Sequence, residues 1–100
     1  AILTDEITKA WSGMNTRQYK EFKDLKKENL RDHMTNLELV LNMLAEATTT
    51  EISREKQPAG FEESKVIAQQ GGTIAGNTRK EIEEKTGKKI VTEHSPRKLK

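Results

Sequence analysis

The sequence has no cysteine, which removes disulfides, thiolate chemistry and zinc–thiolate sites together. Aromatic residues are scarce, one Trp, one Tyr and two Phe, and there are only two prolines. No run approaches the ~20 apolar residues of a membrane span, and no signal peptide is visible. These absences fit a cytoplasmic protein with no membrane partner. Hydrophobic residues make up 32% of the chain against 34% charged, a thin supply for a small globule, because short chains bury proportionally less surface. The shortage points to an elongated helical piece, an oligomer, or a segment that leans on another domain. One hundred residues make one domain or part of one, and a chain opening at Ala1 rather than Met reads as a fragment.

What charge there is runs in a gradient. Residues 1–50 hold seven Lys/Arg against eight Asp/Glu, and residues 51–100 hold eleven against eight. The last quarter, 76–100, is the most basic, with eight against four. Such an end permits nucleic-acid contact without demanding it.

The pattern predicts an all-α chain. Thr4 or Asp5 can cap a short helix through "DEITKAWS", which Gly13 stops. Thr16 opens a second, "RQYKEFKDL", with Tyr19, Phe22 and Leu25 as its apolar side, and "KKENLRDHM" reads as a third. "TNLE", residues 35–38, is a capping box in which Thr35 and Glu38 satisfy each other's backbone N–H groups. A long helix should follow from Asn36 to about Lys56, its apolar stripe formed by Leu37, Leu41, Leu44 and Ile52 and widened by Val40 and Met43. "QPAG" breaks the chain, because Pro58 cannot continue a helix. Phe61 then begins a second long helix, ending near Lys85. "KKIVT", 88–92, is the one strand-like run, and "HSPRKLK" is a basic tail. The organisation is thus a short-helix cluster over 1–34, an antiparallel helical hairpin over 35–91, and a tail over 92–100.

"QQGGTIAGNTRKE", 69–81, comes close to a phosphate-cradling loop but lacks two of its requirements. Such a loop follows a buried strand and carries a lysine for the phosphates. Here an amphipathic helical stretch precedes it, and Asn77 stands where the lysine would be. The better reading is a helix with a small-residue seam, Ala68, Gly72, Ala75 and Gly76, against which another helix backbone packs closely. Each interior glycine costs up to ~1 kcal/mol of helix propensity, so three of them call for a packing reason. The preceding helix, with its leucines over the glycines, is the expected partner. Gly71-Gly72 is the expected point of any break.

Nothing assembles a catalytic set. His33 and His94 lie far apart and neither has a partner at metal-ligand spacing. Asp32 beside His33 reads as a solvated pair. Ser12, Ser53, Ser64 and Ser95 occupy no nucleophile elbow, and Glu62-Glu63 and Glu83-Glu84 read as solvated faces. No cofactor is implied, and the expectation is a non-enzyme. Two basic groups remain. Lys20, Lys23, Lys26, Lys27 and Arg31 read mainly as solubilising charge. Arg79, Lys80, Lys85, Lys88, Lys89 and Arg97, with Lys98 and Lys100, are the candidate phosphate contacts. Trp11 and Tyr19 read as core rather than base-stacking platforms.

Three runs, "LKKENLRDHMTNLELVLNMLAEATTTEI" (25–52), "GFEE" (60–63) and "GGTIAGNTRKEIEEKTGKKIV" (71–91), cover most of the chain. In that order they resemble the C-terminal half of the DNA-damage-inducible protein D family. Members carry an N-terminal domain like that of phage and baculovirus antirepressors, which these 100 residues do not include. The resemblance implies a role in the bacterial damage response, in places through modulation of recombinase filaments on DNA, and it brings no catalytic or binding residues with it. The resulting expectation is an interaction or oligomerisation domain that forms a homo-oligomer, with a recombinase filament or DNA as partner of the longer protein. The alternative is a direct nucleic-acid-binding module of an antirepressor-like regulator.

Overall fold

The computed structural model describes residues 2–93, and these form four α-helices: α1 (Ile2–Ser12), α2 (Thr16–Phe22), α3 (Asn36–Lys56) and α4 (Phe61–Thr86). Local chemistry sets their ends. Gly13 leaves α1 at a φ of 88°, a left-handed conformation in which a Cβ would be strained. Asn15 caps α2 in a capping box with Gln18. The expected box at α3 is present: Thr35 N–H donates to Glu38 Oε1 at 2.7 Å, and Glu38 N–H to Thr35 Oγ1 at 3.4 Å. Gln57, in the left-handed region, closes α3 ahead of Pro58, and Gly87 closes α4 at a φ of 74°.

The two long helices form the antiparallel hairpin, and α4 is the shared element, packed along α3 on one side and α1 on the other. Helix α4 runs unbroken through Gly71-Gly72. The core gathers Trp11, Tyr19, Leu25, Leu30, Met34, Leu41, Ala45, Ala75 and Ile90. Trp11 and Tyr19 are fully buried, with ring centroids 6.1 Å apart.

Several expectations are corrected. The third short helix is only a 3-10 turn at Arg31–His33, and ahead of it the Glu28 and Asn29 side chains accept the Lys26 and Arg31 N–H groups in competition with a helix. No strand occurs among the described residues. Residues 88–92 instead fold back over the core with Ile90 buried, their polar backbone groups met by side chains rather than by a partner strand. The inward face of α3 is Glu38, Leu41, Asn42 and Ala45, whereas Leu37, Val40, Met43 and Leu44 are exposed. Phe22 and Phe61 are exposed as well.

The glycines explain that rotation of α3. A Cβ on Gly71 would lie on Thr49 Oγ1 and only 2.8 and 2.9 Å from the Thr49 N and Cα. The backbones approach too closely there for leucines between them, so α3 presents Ala45 and Thr49. The expected glycine partner also changes. A Cβ on Gly72 would stand 2.8 Å from the Ile7 carbonyl oxygen, and one on Gly76 3.0 Å from that of Ala10. Gly72 and Gly76 therefore receive α1, while Gly71 receives α3. Ala68 and Ala75 are buried between these contacts.

Candidate functional site

The most constructed feature lies under the capping box. Glu38 has no solvent exposure, and its carboxylate accepts four hydrogen bonds. Oε1 takes the Thr35 N–H at 2.7 Å and the Lys23 ammonium at 2.8 Å. Oε2 takes the Tyr19 hydroxyl at 2.5 Å and the Thr92 N–H at 3.3 Å. A carboxylate offers about four lone-pair sites, so this one is saturated. Lys23, its side chain equally inaccessible, donates also to the Thr92 carbonyl oxygen at 2.9 Å and lies 5.9 Å from the centre of the Tyr19 ring. Burial, then the hydrogen bond to Glu38 and the Glu38 charge, push the Tyr19 hydroxyl well above the ordinary phenol range. Tyr19 therefore remains a donor at every physiological pH.

Local structure places these groups. Glu38 is at the third position of α3 because Thr35 starts that helix, and Tyr19 and Lys23, four residues apart, lie on one side of α2 and its cap. Lys23 thus departs from the reading of its group as solubilising charge. A second buried polar link crosses the core beside them, where the Trp11 indole N–H donates to Asn42 Oδ1 at 3.1 Å. Tyr19, Lys23 and Glu38 resemble a proton-transfer set in composition, but no substrate atom reaches side chains this enclosed. They brace the fold.

The candidate phosphate contacts separate. Lys80, Lys85, Lys88 and Lys89 are exposed, and Arg97, with Lys98 and Lys100, lies outside the described residues, as does His94. Arg79 is committed elsewhere. Its Nε donates to the Trp11 carbonyl oxygen at 2.8 Å, and its Nη1 reaches Glu83 at 2.9 Å with both side chains largely buried. Trp11 is in the last turn of α1, where carbonyls lack helical partners, so Arg79 acts as a side-chain cap for α1. Glu83 in turn accepts the Ile90 N–H at 3.0 Å, and is a brace rather than the solvated face expected. Burial alone would raise its carboxyl, but the Ile90 N–H and the Arg79 hydrogen bond and charge outweigh that and hold it below the usual carboxylate range. A depressed folded-state value contributes stability above the unfolded value and loses it as pH falls through the folded one. The stability that the Arg79–Glu83–Ile90 link contributes should therefore be complete above the ordinary carboxylate range and be lost in acid, as pH falls through the depressed value of Glu83.

Arg79→Gln is expected to lower stability by ~1.5–3 kcal/mol, the range for hydrogen bonds to a charged group. It should leave any affinity for DNA unchanged. A thermal melt and a fluorescence-anisotropy titration of labelled DNA read the two effects separately. A stable variant with weakened DNA binding would return Arg79 to the phosphate contacts.

The hairpin also presents an apolar flank. Leu37, Val40 and Leu44 stand at helical spacing on α3, on the side opposite Asn42 and hence away from α1. On α4, Ile74 lies opposite the α1-facing Gly72 and Gly76, and Val66 and Ile74 share a groove with Ile52 of α3. The register set by Thr49 against Gly71 brings Leu44 close to the level of Ile74. Leu37, Val40, Val66 and Ile74 are each between 44% and 51% exposed. Single exposed hydrophobics are ordinary, whereas a contiguous set is a mark of an interaction surface.

No group of three His, Cys, Asp or Glu side chains that could hold a metal occurs among the described residues. Within them no helix is long and apolar enough to cross a membrane. No family model, curated protein or solved structure matches the chain.

Proposed function

We propose that this chain is a non-enzymatic helical interaction domain that associates through the outer flank of its α3–α4 hairpin. The observation that supports the reading is the half-exposed set of Leu37, Val40, Val66 and Ile74 on the side turned away from α1. The folded core does not use these side chains, and a sequence with only 32% hydrophobic residues gives up several of them to the surface. The resemblance to the DNA-damage-inducible protein D family adds the setting: a bacterial damage-response protein, cytoplasmic, with a recombinase filament or DNA as the further partner of the longer protein.

The test is association. Sedimentation velocity at micromolar concentration should show an oligomer for the parent chain and a monomer for Val40→Lys/Leu44→Lys. Helicity should be unchanged, because both residues point outward. A monomeric parent, or an oligomer indifferent to these two substitutions, would sink the flank as the interface.

A further inference from the structure

The buried Lys23–Glu38 pair does more than brace α2 against α3. It grips the main chain of one residue from both sides: Glu38 Oε2 accepts the Thr92 N–H, and Lys23 Nζ donates to the Thr92 carbonyl oxygen. Neither charged side chain has any solvent exposure, so the core builds this grip. The contacts use only the donor and acceptor that every non-proline residue carries. Selectivity comes two residues earlier, where Ile90 is buried among the core side chains and its N–H is held by Glu83. The gripped segment, residues 88–93, leaves α4 at Gly87, whose φ of 74° already departs from helix, and it is tied back to α4 by the Lys88 N–H on Thr86 Oγ1 at 3.3 Å and the Ile90 N–H on Glu83. Its Lys88 and Lys89 stand in solvent.

We propose that this groove is a peptide clamp with an exchangeable occupant, and that its partner in trans is the same 87–93 segment of a second copy of the chain. The proposal rests on the interaction-domain reading and gives it a second route, independent of the apolar flank. The identical segment from another copy satisfies the groove through the same contacts, and the difference between the two arrangements lies in the joint at Gly87. Exchange of this kind is a low-cost route to a dimer and is governed by the hinge. An empty groove is the disfavoured state, because it opens the Ile90 site to water and takes from Lys23 and Glu38 the two Thr92 contacts that complete their pairing. A peptide unit therefore refills it: the chain's own when the joint reaches, and a neighbour's when it does not.

The test is made in the Val40→Lys/Leu44→Lys background, so that association through the flank is silent and failure of either idea is separately visible. Deleting Gly87 and Lys88 shortens the reach by about 7 Å at ~3.3–3.6 Å per residue, enough to keep the segment from its own groove. The shortened chain is expected to sediment as a dimer. Adding Lys23→Met/Glu38→Leu, which replaces the charged grip with apolar volume, should return it to monomer. In a second arm, a fluorescein-labelled peptide of residues 87–93 is titrated onto the 100-residue chain carrying Ile90→Asp, whose own segment no longer seats. It should bind saturably and at least tenfold more tightly than to the parent chain, and a peptide carrying Ile90→Asp should not bind. A helical but monomeric shortened chain, a dimer that survives loss of Lys23 and Glu38, or no saturable peptide binding each overturns the proposal. So does loss of helicity in both the shortened and the Ile90→Asp chains, since the segment would then be an inseparable part of the fold.

Discussion

Glu38→Ala is expected to be the most damaging single substitution in the chain, with a loss of about 3–5 kcal/mol. The methyl group removes four acceptor contacts at once and leaves the Lys23 ammonium buried without its carboxylate. The Tyr19 hydroxyl, also inside, loses its acceptor. Because domains of this size are stable by only about 5–15 kcal/mol, the variant should be partly unfolded at growth temperature. The instructive comparison is Lys23→Met/Glu38→Leu. Removing both charges leaves no uncompensated ion, and apolar replacements of buried pairs are often tolerated, so the double variant should melt well above Glu38→Ala. The pair is thus strongly non-additive. Chemical denaturation followed by helical circular dichroism measures both. Equal stability of Glu38→Ala and the parent chain would mean that the carboxylate is not the keystone its four donors indicate.

Helices and joints could be read from the sequence, while the choice of inward faces could not. "TNLE" announces the start of α3 because a capping box is local chemistry, and "QPAG" announces its end for the same reason. The hairpin follows from those two facts and a short connector. Which side of α3 turns inward is a tertiary matter: of the stripe leucines Leu37, Leu41 and Leu44 only Leu41 is buried, because the close approach of Thr49 to Gly71 rotates the helix toward Ala45 and Thr49. Polar burial was hidden in the same way. Nothing in "KEFKDLKKENL" separates Lys23 from its neighbours until residues 88–92 return, 69 positions later in the case of Thr92, to cover it. Likewise the basic run 79–89 gives no sign that Arg79 is taken up by the end of α1. The strand-like character of "KKIVT" marked a segment that seeks backbone partners, and it finds them in side chains.

The small-residue seam gives the second large effect, and its sign runs against helix propensity. Gly71, in the middle of α4, should gain up to ~1 kcal/mol on replacement by Ala if only the isolated helix counted. The new methyl group would meet the Thr49 main-chain N and Cα at 2.8 and 2.9 Å, and backbone atoms inside a packed helix pair cannot swing aside. Helices α3 and α4 must part instead, and overpacking of this kind costs ~1–3 kcal/mol or more. Gly71→Ala is therefore expected to lower the melting temperature, by about 4–8 °C for each kcal/mol lost in a domain of this size. Thr73→Ala, two residues along on the exposed side of the same helix, serves as the control and should be neutral or slightly stabilising. Thr49→Ala removes a hydroxyl that is buried without a hydrogen-bond partner, so by itself it should be tolerated. It should not rescue Gly71→Ala, because the Thr49 backbone atoms stay where they are. If Gly71→Ala melts higher than the parent, or if Thr49→Ala restores it fully, the close approach of the two backbones is not what selects glycine at position 71.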